Sequence, residues 1–172
     1  VEDPFCGSGT LVIEAAQKAL NMAPGLQRRF AAERYSFVPP EVWAAQRQKA
    51  LAEIRQDAAF EGFGYDIDPA AVELARANAR LAGVDKRCHF EVADVKDFTP
   101  RSEAIVLTNP PYGERMSTID GAARLARTFG RQMEAHPCAG VYVITADMEF
   151  EAHHGRRAAT RRKRDTGGSP GP

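Results

Sequence analysis

The residues that could do chemistry fall into two segments that lie far apart in the chain of 172 residues. The first, DPFCGSGT, occupies residues 3–10 and contains Gly7 and Gly9. Glycine permits a tight turn and lets the backbone approach a ligand closely. The second, NPPY, occupies residues 109–112 and combines an amide, two rigid prolines and an aromatic ring. In this order the segments predict a methyl donor held beside a planar amine, and either segment alone would be weak evidence.

The glycine segment has the features of a cofactor loop between a strand and a helix. Free N–H groups at the start of a helix favour an anion such as a carboxylate. Asp3 could accept from an ammonium group beside the loop. We expect the Cys6 side chain to pack in the core, with its backbone as a candidate ligand contact. The segment has neither the lysine of a P-loop nor the complete GxGxxG pattern of a dinucleotide site.

Acidic residues follow two later predicted strands, at the edge where parallel strands meet a ligand. Asp66 could accept both hydroxyls of a ribose, and Ile67 could pack on an adenine ring. Asp94 could accept from the adenine amine, with Asp97 as the alternative turn residue. Asp68, beside Asp66, is assigned as a helix cap. These contacts fit S-adenosylmethionine better than a dinucleotide, because no pyrophosphate has to be held.

The NPPY segment suits one chemical difficulty. The lone pair of an exocyclic base amine is delocalised into the ring, so the nitrogen is a poor nucleophile. The side-chain carbonyl of Asn109 and the backbone carbonyl of Pro110 can accept its two N–H bonds. Pro111 stiffens the segment, and Tyr112 offers a face on which the base can stack. Arg115 could hold a phosphate or a carboxylate. The structural alternative, a rigid turn after a buried strand, is disfavoured by the glycine segment upstream.

Strands and helices alternate along the chain, which predicts an α/β fold with a Rossmann-like, mostly parallel sheet and helices on both faces. Apolar residues at helical spacing mark the helices, and short apolar runs before turn residues mark the strands. The predicted helices span 10–20, 41–57, 69–82 and 119–135, and the predicted strands span 1–4, 60–65, 88–92, 104–108 and 140–145. Residues 21–39 are predicted to be irregular. The role of residues 21–59, which could cover the cofactor or contact RNA, is open.

The net charge is zero, but six basic residues crowd into segment 156–164. A basic run beside a neutral body can follow a phosphate backbone. Arg161, Arg162 and Lys163 are therefore candidate RNA contacts, and the alternative is a disordered, solvated tail.

Other residue patterns restrict the class of protein. The three cysteines form no CxxC pair, which favours a reduced, cytoplasmic protein. His153 and His154 have no cysteine or carboxylate at metal spacing, so we expect a surface pair and no metal site. No apolar run approaches the ~20 residues of a membrane span.

The segments DPFCGSGT, GYDIDP and NPPYGER, with APGL after the first helix, resemble the bacterial THUMP-associated RNA methyltransferases. These are class I S-adenosylmethionine enzymes related to the 23S rRNA guanine-N2 methyltransferase. The resemblance runs from Val1 to about Arg164, and the pairing of NPPYGER with APGL is its most specific part. It implies RNA as the partner, with ribosomal RNA as the first candidate. The implied cofactor contacts and amine clamp are Asp3, Gly7, Gly9, Asp66 and Asp94, and Asn109, Pro110 and Tyr112.

The chain also departs from this family. The family has an RNA-binding THUMP domain before the catalytic domain, and a final pair of strands after the basic run. We therefore expect residues 1–164 to be a catalytic domain truncated at both ends, and residues 165–172 to be a disordered or foreign tail. An adenine-N6 DNA methyltransferase and a glutamine-modifying protein methyltransferase would use the same clamp. A binding module without turnover is the alternative from another class. The oligomeric state is open.

Overall fold

The computed structural model describes residues 1–111 and 119–163, which fold around one five-stranded parallel sheet. The strands are β1 (Glu2–Asp3), β2 (Gly62–Asp66), β3 (Cys88–Val92), β4 (Ile105–Thr108) and β5 (Gly140–Val143). The helices are α1 (Thr10–Ala19), α2 (Pro40–Ala52), α3 (Pro69–Ala82), α4 (Ile119–Ala135) and α5 (Phe150–His154), with 3-10 turns at Ala31–Arg34 and Val95–Asp97. The predicted α/β class with a parallel sheet is confirmed.

The strand order β3-β2-β1-β4-β5 places the short β1 at the centre of the sheet. Glu2 pairs with Phe63 on one side and with Val106 on the other. Strands β2 and β3 therefore extend the sheet on one side of β1, and the chain then crosses over so that β4 and β5 extend it on the other side. In open parallel sheets, the crevice at such a switch point is where ligands bind. Here the switch lies between β1 and β4.

Two apolar clusters cover the two faces of the sheet. On one face, α1 and α3 pack Val12, Ala16, Val72 and Ala75 against Phe90 of β3. The other face is covered by α4 and α5, whose apolar residues pack against β4. That second cluster contains Val95, Phe98, Val106, Ala126, Phe129, Met133 and Phe150. The apolar spacing that predicted the helices is the spacing of these buried residues.

The residues at both ends of helix α3 act as the sequence predicted. The Asp68 side chain accepts from the Ala70 N–H at 2.9 Å, and Pro69 occupies the first helical position. Gly83 ends the helix in the left-handed region, with φ of 72°. The assignment of Asp68 as a cap is confirmed. In this structure the carboxylate of Asp66 is not needed for capping.

Other boundaries differ from the predictions. Helix α2 ends at Ala52 rather than near Asp57, because the Arg55 N–H donates to the Leu20 carbonyl and turns the chain toward β2. The five-residue α5 was not predicted. The surface assignment of the histidine pair was wrong, because both residues are half-buried. His153 Nδ1 lies 3.8 Å from Asp147 Oδ2, and the His154 ring packs against the Phe129 and Phe150 rings. In the described part of the chain, no helix is long and apolar enough to cross a membrane.

Candidate functional site

A hydrogen bond joins the glycine segment to the residue directly before the NPPY segment. The Thr108 hydroxyl, at the end of β4, donates to Asp3 Oδ1 at 2.5 Å, across 105 positions of the chain. Asn109 follows Thr108 directly, so the glycine segment and the NPP turn leave adjacent strands at the same edge of the sheet. Because β2 also pairs with β1, Asp66 ends its strand at this edge too.

Asp3 lies almost completely inside the protein, with 1% of its surface exposed. Burial raises the pKa of this carboxyl from 3.8 to about 6, although hydrogen bonds from Thr108 and Phe5 lower the pKa and Asp66 raises it. Both of these hydrogen bonds end on Oδ1. Oδ2 is thus the oxygen that could receive a further donor, such as an ammonium group.

The glycine loop is tied to the acidic end of β2. The Gly7 N–H donates to Asp66 Oδ2 at 2.9 Å, and the Asp68 N–H donates to Asp66 Oδ1 at 3.0 Å. These bonds fix the orientation of the Asp66 carboxylate before any ligand arrives, while each oxygen keeps a second lone pair for a ribose hydroxyl. A Cβ placed on Gly7 would have no heavy atom within 4 Å. The loop therefore borders open space beside a carboxylate, which fits an adenosyl group.

Gly9 has a different role from Gly7. Its φ is 81°, and an added Cβ would lie 2.9 Å from the Phe90 ring and 3.0 Å from Ala75. Its N–H already donates to the Cys6 carbonyl. Close packing of the loop on α3 and β3 thus requires glycine here, a requirement that the sequence pattern did not reveal. Helix α1 starts after Gly9 without a side-chain cap, so a ligand carboxylate could bind its first N–H groups.

Cys6 packs in the core, as expected, with 6% of its surface exposed. Burial raises the pKa of its thiol to about 12, so the thiolate needed for a nucleophile is strongly disfavoured. Its N–H donates to the Tyr65 carbonyl at 2.9 Å and extends the pairing of β1 with β2. The backbone contact of Cys6 with a cofactor stays a prediction.

The predicted adenine contacts lie at the same edge of the sheet. Ile67 is 69% exposed directly after β2, which leaves its side chain free to cover a ring. Asp94 follows β3 and caps the turn Val95–Asp97 by accepting from the Lys96 N–H at 3.0 Å. Its second oxygen lies 3.4 Å from Lys96 Nζ. Asp94 is therefore a turn residue in this structure, and its predicted bond to an adenine amine remains a prediction.

The clamp segment is described only as far as Pro111. Asn109 is exposed, Pro110 is buried and Pro111 is half-buried. An exposed amide before a buried proline can present its carbonyl to a substrate from a fixed backbone. Tyr112 and Arg115, the predicted stacking and anion-binding residues, lie outside the described residues.

Two supporting residues escaped sequence reasoning. The side-chain amide of Asn78 in α3 donates to the Ser8 carbonyl at 3.0 Å and so holds the glycine loop in place. Glu2, 1% exposed, forms an ion pair with Arg101, whose guanidinium lies 3.7 Å from the centre of the Phe63 ring. Their spacing in sequence gives no signal, because both contacts depend on the order of the strands.

The basic run begins after α5. Arg161 is anchored by two contacts with Glu151, at 2.9 and 2.7 Å, while Arg162 and Lys163 are exposed. An open groove of about 400 Å³ lies beside Arg156, Arg157 and Arg161. Among the residues that the structure describes, no group of histidines, cysteines and carboxylates could hold a metal ion.

The chain is similar to known methyltransferases in sequence. Residues 1–171 match the RMKL-like methyltransferase domain. YpsC of Bacillus subtilis (strain 168), provisionally named an RNA methyltransferase, is 36% identical over 94% of this chain. The ribosomal RNA large subunit methyltransferase K/L of Vibrio parahaemolyticus is 42% identical over 77% of this chain. The chain spans only 42% and 20% of the length of these two relatives.

Solved structures show the same architecture. A possible methylase from Clostridium difficile 630 superposes on 96% of this chain with a TM-score of 0.89 and 38% identity, over 44% of its own chain. A provisionally assigned methyltransferase, solved in complex with SAH, superposes on 96% of this chain with a TM-score of 0.88 and 33% identity, again over 44% of its own chain.

Proposed function

Because the chain belongs to the RMKL-like methyltransferase domain family, we propose that it binds S-adenosylmethionine and methylates an exocyclic amine of an RNA base. The observation that supports the proposal is the bond between Thr108 and Asp3, because Asn109 directly follows Thr108 and Asp3 begins the glycine segment. The relative solved with SAH supports the cofactor. We propose a cytoplasmic location, in keeping with three free cysteines.

On the cofactor side, the chain's residues would bind and orient. When bound, S-adenosylmethionine would supply an activated methyl group. Asp66 would accept the ribose hydroxyls, with its carboxylate already oriented by Gly7. Asp3 Oδ2 and the first N–H groups of α1 would receive the ammonium and carboxylate ends of the donor. Exposed Ile67 would cover the adenine ring, and Asp94 would accept from its amine.

On the acceptor side, the clamp would change the geometry of the amine. Asn109 and the Pro110 carbonyl would accept its two N–H bonds, which draws the nitrogen toward a tetrahedral shape and aims its lone pair. Alignment then supplies most of the acceleration, with electrostatic tuning of the amine. No general base is needed before attack.

The proposed substrate is ribosomal RNA, with guanine N2 of 23S rRNA as the preferred position. The names of the Vibrio relatives favour rRNA. Adenine N6 of DNA is the alternative, because a Listeria monocytogenes protein named a predicted N6-adenine-specific DNA methylase superposes with a TM-score of 0.86 and 38% identity. Radiolabelled methyl transfer to rRNA and to DNA, followed by digestion to nucleosides, distinguishes the two.

The first experiment is calorimetric titration of the chain with S-adenosylmethionine, with NAD as a control. We expect saturable binding of the methyl donor alone. In an active enzyme that contains this chain, Asn109→Ala should lower methyl transfer about 100-fold or more and leave donor affinity within about twofold. Asp66→Ala should weaken donor binding, whereas Asp97→Ala, at a 71% exposed side chain, should not. Equal loss of donor binding in the Asn109 and Asp66 variants would refute this division of roles.

A further inference from the structure

The loop between α1 and α2 carries two exposed aromatic rings that no part of the proposed mechanism uses. The rings of Tyr35 and Phe37 stack on each other, with centroids 5.4 Å apart and planes 18° apart. They are 54% and 79% exposed. Aromatic side chains usually bury their surface. A stacked pair that presents its faces to water is therefore a candidate contact surface.

The loop that carries these rings is braced rather than loose. Arg47 of α2 donates to the carbonyls of Leu26 and Arg28 and pairs with Glu33. The Phe30 ring stacks on Trp43 of α2, with centroids 6.4 Å apart. These contacts hold residues 26–33, directly before the rings, and a segment that is already held loses little conformational entropy when a partner binds.

The charge around the rings is positive. Arg28, Arg29 and Arg34 are exposed on the same loop, and none has an ion-pair partner among the residues that the structure describes. The acid between them, Glu33, is already paired with Arg47. Arg29 also acts on Glu33, whose pKa it helps to lower, and Arg28 lies over the Phe30 ring. Three exposed guanidinium groups on the loop that carries two stacked rings match a polyanion that also presents flat faces.

We propose that Tyr35 and Phe37, with Arg28, Arg29 and Arg34, form a stacking platform that binds an unpaired stretch of RNA. Bases of a single strand are free to stack on aromatic rings, while arginines contact the phosphates between them. The proposal deepens the proposed RNA substrate and rests on it. It gives residues 28–37 a substrate-binding role separate from the clamp.

The test measures binding of a fluorescein-labelled twelve-nucleotide oligouridylate to the chain. The double variant Tyr35→Leu/Phe37→Leu keeps apolar surface but removes the π faces. We expect at least tenfold weaker binding, equivalent to about 1.4 kcal/mol. The control is Tyr142→Leu, which removes a 60% exposed tyrosine of β5 and should leave affinity within twofold. Circular dichroism checks that each variant is folded.

The arginines are tested through salt dependence. Each phosphate contact on a single strand contributes about 0.7 to the slope of log affinity against log salt. The triple variant Arg28→Gln/Arg29→Gln/Arg34→Gln should therefore lower the slope by about 2. Its control, Lys86→Gln, should leave the slope unchanged.

Three results would overturn the platform. They are no binding of the oligonucleotide by the unaltered chain, equal affinity of the double variant and the unaltered chain, and an unchanged salt slope in the triple arginine variant. Failure of the methyltransferase proposal looks different, because the unaltered chain would then not bind S-adenosylmethionine in the calorimetric titration.

Discussion

Replacing Asp3 with asparagine should stabilise the ligand-free protein at neutral pH. The carboxylate is 1% exposed, and burial raises its pKa to about 6. A pKa raised by folding means that the folded state binds the proton more tightly than the unfolded state. The stability that the protonated group contributes is complete below pH 3.8 and is lost as the pH rises through about 6. Asp3→Asn keeps the shape and removes the titration.

The magnitude follows from the two pKa values. Because the pKa of Asp3 rises from 3.8 to about 6 on folding, ionisation of this carboxyl lowers the free energy of unfolding by about 3 kcal/mol at pH 8. At pH 4 it lowers that free energy by only about 0.5 kcal/mol. The free energy of unfolding of Asp3→Asn, minus that of the unaltered chain, should thus increase by about 2.5 kcal/mol between these pH values. Thr108→Val removes a hydrogen bond that lowers the Asp3 pKa, so it should move the decline of stability to higher pH.

Urea denaturation at a series of pH values measures this difference, with the fluorescence of the single tryptophan, Trp43, and circular dichroism as probes. A difference that stays constant from pH 4 to pH 8 would refute the buried, destabilised carboxylate. The same variant should bind S-adenosylmethionine more weakly, because the proposed ammonium contact is lost. Stability and donor affinity should therefore change in opposite directions.

Two further predictions concern packing and charge. Gly9→Ala should cost about 3 kcal/mol in the free energy of unfolding, because the methyl group meets the Phe90 ring at a positive φ; Gly7→Ala, with open space around it, should cost only about 1 kcal/mol. Equal costs, measured by urea denaturation, would contradict the packing role. Arg101→Ala leaves Glu2 buried without its partner and should cost about 2 kcal/mol, reduced from the value for a buried pair because Arg101 is half exposed. Adding Glu2→Gln to that variant should recover part of the loss, and no recovery would argue against an unpaired charge as the cause.

Much of the fold could be predicted because its signals are local. The apolar stripe of α3, its Asp68 cap and its terminal Gly83 all lie within one element. Helix α5 could not be predicted, because five residues are too few to show a helical period. A tertiary contact between the His154 and Phe129 rings supports this helix.

The candidate site divides in the same way. Residue types predicted which side chains could lie at the carboxyl edge of the sheet, since each follows a strand. The bonds that hold them, from Gly7 to Asp66 and from Asn78 to Ser8, depend on which strands and helices become neighbours. The two glycines of the loop look alike in sequence, yet one faces open space and the other faces the Phe90 ring. Only the packed structure separates those requirements.

The placement of β4 beside β1 also orders the folding of this chain. Strands β1, β2 and β3 are neighbours in both sequence and sheet, so the glycine loop and Asp66 can come together before β4 is available to pair. Pairing β1 with β4 closes a loop of about 100 residues, whereas pairing β1 with β2 closes a loop of about 60 residues. The longer loop costs only about 0.5 kcal/mol more in chain entropy. The pairing of β1 with β4 therefore comes late because β4 is synthesised after β2 and β3, and loop entropy opposes it only weakly. A nascent chain would form the half that carries the candidate cofactor residues first, and the candidate clamp residues would join when β4 emerges from the ribosome.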